Sequence, residues 1–141
     1  MQMIADNVRT QLSEILKTLT NKVSILLFSQ KKGCHFCTLA KELLEELTAL
    51  SEKLKLEIHD FVENSALARK YAVDKTPAII LVGEKDYGIR FYGIPAGYEF
   101  TTLVEDLIDV SKRDPGLPKD ITRDLAKVDQ PVHIQVMTSP S

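Results

Sequence analysis

The chain has 141 residues, 44% hydrophobic and 27% charged, the length of one domain and the make-up of an ordinary soluble globular protein rather than a disordered or fibrous one. A formal net charge of -2 leaves no basic field for a phosphate backbone and argues against nucleic acid as a partner. No stretch approaches the ~20 apolar residues of a membrane span, and Met1 to Thr10 lacks the apolar core of a secretory signal, so a cytoplasmic setting is expected.

Ile4, Val8, Leu12, Ile15, Leu16 and Leu19 recur at helical spacing; with Asp6 as N-cap they predict an amphipathic helix over 6–20. Val23 to Ser29 (VSILLFS) is a nearly continuous apolar run, the pattern of a strand buried on both faces. The segment QKKGC turns into a second helix over about 35–52, with Leu39, Leu43, Leu44, Leu47 and Leu50 on one face. Leu54, Leu56 and Ile58 alternate with Lys55, Glu57 and His59 and predict a half-exposed edge strand. Asn64 can cap a short helix through Tyr71. Ala78 to Val82 (AIILV) is a second buried strand, introduced by Thr76-Pro77, and a turn over 83–86 leads into a hairpin partner over 87–92. Tyr98 to Lys112 is a further amphipathic helix, using Phe100, Leu103, Val104, Leu107 and Ile108. The order α-β-α-β-α-β-β-α predicts an α/β fold built on a mixed sheet. The apolar strands should be central, the alternating ones at the edges, and helices on both faces.

After residue 113 the composition shifts. Asp114-Pro115-Gly116-Leu117-Pro118 reads as a linker, 119–128 as a short helix, and Val132 to Met137 as a strand, because Val132, Ile134 and Val136 alternate with His133 and Gln135. The organisation expected is therefore one domain over 1–113 and an appended segment over 114–141. A lone helix and strand with nothing evident to cover their apolar face can recruit a partner, so pairing with a second copy through this strand is also an expectation.

The two cysteines, Cys34 and Cys37, sit three apart, between a buried strand and a helix N-terminus. Unpaired N–H groups and the positive end of the helix dipole stabilise a thiolate there. Lys31 and Lys32 precede the pair and His35 lies within it; such surroundings lower a cysteine pKa from about 8.5 into the range of roughly 3.5–7.5. Cys34, nearest the helix end, is expected to be the exposed nucleophile. Cys37, one turn inside, is expected to be buried and to resolve the mixed disulfide. His35, by stabilising the reduced thiolate, should make the pair more oxidising. A purely structural disulfide closing so short a loop would contribute only about 1.9 kcal/mol in the chain-entropy model, and a cytoplasmic setting disfavours it. A zinc site needs four ligands and there is no second C-x-x-C; His59 and His133 read as solvent-facing strand histidines. A dithiol that holds metal, or is vestigial in a binding or dimerisation module, is the alternative to redox chemistry. Neither a metal nor a cofactor is expected.

Thr76-Pro77 has two readings: simple punctuation of the strand start, or a cis-proline beside the dithiol that leaves the preceding backbone free for an extended peptide. Cys34-His35-Phe36-Cys37 opening a helix, Thr76-Pro77 about forty residues on, then a hairpin and a final helix resemble the thioredoxin/glutaredoxin fold. The segments LKLEIHDF, AVDKTPAIIL, YGIRFYGIPAGYEF and TTLVEDLIDVSK resemble the N-terminal unit of the protein disulfide oxidoreductases, glutaredoxin-like proteins of thermophilic archaea and bacteria. Those proteins carry two such units, and residues 119–138 resemble the first helix and strand of the second, here without its own C-x-x-C. The resemblance implies a thioredoxin-like fold with a four-stranded sheet and dithiol–disulfide exchange at Cys34 and Cys37. It further implies a cis Pro77, a loop over Gly93 to Gly97 near the site, disulfide-containing protein substrates and an upstream thiol reductase. The single dithiol counts against disulfide isomerisation and two-site relay. Gly33 stands where thioredoxins have a tryptophan, and Phe28 where they bury an aspartate. Glu57 and Asp60 are candidates to replace that aspartate, though both also read as ordinary edge-strand carboxylates.

Overall fold

The structure is a computed structural model that describes residues 2–139. The two uninterrupted apolar runs become β1 (Val23–Ser29) and β3 (Ala78–Val82), and they lie side by side at the centre of one sheet. Burial on both faces rewards side chains at every position, which is why neither run alternates. β2 (Leu54–Asp60) pairs parallel to β1 at one edge, and β4 (Asp86–Tyr92) pairs antiparallel to β3 at the other, giving the order β2-β1-β3-β4. This is the mixed four-stranded sheet expected, with the alternating segments at its edges.

One face of the sheet, carrying Ile25, Leu27, Ile79 and Leu81, is covered by α1 (Asp6–Leu16), α2 (Cys37–Thr48) and α4 (Tyr98–Lys112), through Leu12, Leu16, Leu43, Leu44, Leu47, Leu103 and Leu107. The other face, carrying Leu26, Phe28 and Ile80, packs on α3 (Ser65–Lys70) and the following Val73. Helices on both faces of a sheet with this order make a thioredoxin-like fold. Ser111 is fully buried and fastens α4 to the loop before β1: its hydroxyl accepts the N–H groups of Thr20 and Asn21, each at 2.9 Å, and donates to the Asn21 carbonyl at 2.7 Å.

Several boundaries differ from the sequence expectation, each for a local reason. α1 ends at Leu16 rather than 20, because Lys17, Thr18 and Leu19 tighten into i→i+3 bonds to Glu14, Ile15 and Leu16. Ala5, not Asp6, is its cap, and Asp6 puts a negative charge in the first turn. Asn64 occupies the cap position of α3 but its side chain makes no capping bond. α2 begins at Cys37, two residues late, since Phe36 has non-helical dihedrals (φ -104, ψ 0). In the appended segment the helix α5 covers Lys119–Leu125. The strand expected over Val132 to Met137 is not formed: the segment is exposed and pairs with no strand. An isolated strand gains no ladder bonds, so alternation alone does not hold it in one. Among the described residues of the single chain, the strand through which pairing with a second copy was expected is therefore not formed.

Candidate active site

Sheet register brings the site together. In the antiparallel β1–β3 pair Phe28 lies opposite Ala78, so the residues leaving β1 run beside those entering β3. Ala78 in turn lies opposite Tyr92, the last residue of β4. The loops that follow β1, precede β3 and follow β4 therefore lie together at one end of the strands. Two bonds tie them: the Thr76 hydroxyl donates to the Gln30 side-chain carbonyl at 3.2 Å, and the Gly93 N–H donates to the Pro77 carbonyl at 3.0 Å. The Thr76–Pro77 peptide is cis and Pro77 is buried. The loop implied over Gly93 to Gly97 is thus tied to Pro77 at its first residue.

Cys34 and Cys37 are joined as a disulfide, their Cα atoms 5.5 Å apart. Gly33, immediately before Cys34, adopts φ +75, a left-handed conformation that an L side chain rarely takes. Cys34 is half-buried, whereas Cys37 is 3% exposed. Cys37 is the first residue of α2, not one turn inside it, so the unpaired N–H groups of the first turn begin at the second sulfur.

The charged residues are less concentrated on the dithiol than their sequence positions suggest. Lys31 Nζ lies 2.8 Å from Glu63 Oε1, and that hydrogen bond and charge raise its pKa further, leaving its charge largely answered. Lys32 is exposed, and His35 is exposed with its ring edge-on to Phe36 at 4.8 Å. Asp60 accepts the N–H groups of Glu63 and Val62, which hold its carboxyl below the usual range. Glu57 is bound by Lys55 at 2.8 Å and is likewise lowered, first by that side-chain bond. Both candidate replacements for the buried aspartate of thioredoxins are thus engaged in local bonds.

His59 corrects the sequence reading. It does not face solvent: on β2 it lies opposite Phe28, the two rings 5.5 Å apart, with Nε2 buried and 3.5 Å from Glu57 Oε2. The parallel register, invisible in β2 alone, sets its ring on the aromatic neighbour. His133 is exposed, in the appended segment rather than in a strand. Among the described residues no three or more His, Cys, Asp and Glu side chains are grouped to hold a metal ion, and no helix is long and apolar enough to cross a membrane. Gln30 escaped the sequence reading; its only signal was a polar side chain at the exit of an apolar strand.

Residues 24–112 match the Glutaredoxin-like domain family. The chain belongs to that family. Its curated relatives include a protein named NADH dehydrogenase from Bacillus subtilis, 29% identical over 92% of this chain and 23% of the relative. Another is an alkyl hydroperoxide reductase component of Xanthomonas campestris pv. phaseoli, 33% identical over 77% of this chain and 18% of the relative. This glutaredoxin-like chain therefore spans about a quarter or less of the curated relatives it matches. Among solved structures it resembles the alkylhydroperoxide reductase component AhpF of Enterococcus faecalis, with a TM-score of 0.80, 28% identity, and coverage of 89% of this chain and 61% of that one. It also resembles a protein disulfide oxidoreductase of Aeropyrum pernix, with a TM-score of 0.79, 26% identity, and coverage of 90% and 56%. A paired C-x-x-C at a thioredoxin-fold site is a two-electron thiol–disulfide couple.

Proposed function

We propose that this protein is a thiol–disulfide oxidoreductase that acts on disulfides in other proteins, with Cys34 as nucleophile and Cys37 as resolving thiol. The carrying observation is the unequal burial of the two cysteines beside an open stretch of main chain. Cys34 is half-exposed and Cys37 is buried, and among the described residues the main chain of Thr76 pairs with no other backbone group. An extended substrate segment lies along Thr76 and presents its disulfide to Cys34. The Cys34 thiolate attacks one substrate sulfur; the other leaves as a thiolate and is protonated. Cys37, deprotonated, then attacks Cys34, releasing the second substrate thiol and leaving the Cys34–Cys37 disulfide. Two electrons pass to the substrate. Lys32 and His35, with the first turn of α2, favour the thiolate; Lys31 acts less, because Glu63 answers its charge.

The names of the relatives support an upstream reductase, drawing on NADH, that returns the pair to the dithiol. A cytoplasmic setting suits a site that must be re-reduced each cycle. Insulin reduction by dithiothreitol is expected to accelerate in the presence of the protein. Cys34→Ser abolishes the acceleration, and Cys37→Ser accumulates mixed disulfides that resolve on non-reducing gels. Full activity in Cys34→Ser would falsify the assignment.

A further inference from the structure

Gln30 lies between the two loops that border the nucleophile, bonded to one and facing the other. It is the first residue after β1, and its Oε1 accepts the Thr76 hydroxyl at 3.2 Å. At the other end of the same amide, Nε2 lies 4.0 Å from where a Cβ on Gly33 would stand, and beyond the chain neighbours of Gly33 no other heavy atom comes so near that point. Gly33 immediately precedes Cys34, and Thr76 immediately precedes Pro77. One side chain therefore stands between the dithiol turn and the hydroxyl of Thr76, the residue on whose main chain a substrate would lie.

We infer that Gln30 is a positioning residue that fixes the slot between Cys34 and the main chain of Thr76, and so sets how tightly a disulfide-bearing peptide is held. This rests on the function proposed above. The covalent steps do not pass through Gln30. The bond it accepts instead orders the strip of backbone that the substrate must pair with before sulfur attack, so its loss raises KM more than it lowers kcat. The neighbouring polar groups do not duplicate it. Lys31 is directed to Glu63, and Asp60 accepts the N–H groups of Val62 and Glu63. A single neutral hydrogen bond of this kind corresponds to a change of about three- to tenfold.

Steady-state kinetics with a peptide carrying one disulfide, and dithiothreitol as electron donor, test this. Gln30→Leu keeps the bulk and removes the acceptor; KM is expected to rise about three- to tenfold while kcat moves less than about twofold. Gln30→Glu keeps an acceptor oxygen and is expected to restore most of the loss. Combining Gln30→Leu with Thr76→Val should cost little more than either change alone, because both remove one bond. An unchanged KM in Gln30→Leu, a kcat loss as large as the KM rise, or additive losses in the double variant would each overturn the role of Gln30. Should Gln30→Leu fail to fold, the bond is read from its other end. Thr76→Val must then raise KM more than Thr76→Ser, and equal values overturn the inference. A wild-type protein with no reductase activity overturns instead the underlying assignment of the dithiol.

Discussion

The hydroxyl of Ser111 has no capacity left: it accepts two backbone N–H groups and donates to one carbonyl, all at positions some ninety residues away in sequence. Removing it in Ser111→Ala leaves the N–H groups of Thr20 and Asn21 without that acceptor beside a fully buried site. The cost of such an orphaned group is about 1–3 kcal/mol, read as a lower urea midpoint at unchanged slope. A loss under about 0.5 kcal/mol would mean that water replaces the hydroxyl. Nothing in the sequence marks this serine, which sits near the end of an amphipathic helix and reads there as a polar surface position. Gln30 was illegible for the same reason. A polar side chain's partner lies across a fold that periodicity does not specify, whereas the C-x-x-C spacing carries its chemistry within four residues.

The edge strand β4 is held by more than its ladder to β3. Asp86 receives Arg90 at 2.6 and 2.8 Å, and Arg90 also donates to the Tyr71 carbonyl at 3.1 Å, so the strand is tied to the end of α3. The Arg90 hydrogen bond is the main cause that lowers the Asp86 pKa to about 2. A carboxylate depressed in the folded state stabilises it above the unfolded pKa of about 3.9, and that contribution is lost as pH falls through the folded value. Asp86→Asn is therefore expected to cost about 1 kcal/mol at pH 7, after allowance for solvent screening. The difference should close between pH 4 and 2, as denaturation at a series of pH values would show. A pH-independent difference would mean that shape, not charge, holds the strand. β1 and β3 were legible as central strands because unbroken apolar runs have one physical explanation in a sheet. Helix ends were not, because i→i+3 bonds after Leu16 and the dihedrals of Phe36 are set by the chain's exit and entry geometry. The facing of His59 failed likewise, because it depends on Phe28 in another strand.

Sequence patterning anticipated which strands are central and which lie at the edges, whereas the place of Thr76-Pro77 beside the dithiol came only from the family resemblance. In the segment after residue 113 alternation predicts a strand over Val132 to Met137, but among the described residues no neighbouring strand is there to pair with it. From Lys112 through Ser139 every residue is exposed, including Ile121, Leu125, Val128, Val132, Ile134 and Val136. The hydrogen bonds and apolar clusters that hold the dithiol lie earlier in the chain. Arg113, Lys119, Arg123 and Lys127 stand along that exposed stretch, on backbone that a protease can draw into its cleft without opening the sheet. Brief trypsin treatment should trim the chain toward Arg113 and leave a resistant fragment with both cysteines and undiminished insulin reduction. Activity lost in step with the tail would give the segment a part in catalysis. If the fragment stays active, redox turnover and whatever the exposed apolar stripe engages are separable, and cleavage at one exposed bond would disconnect them.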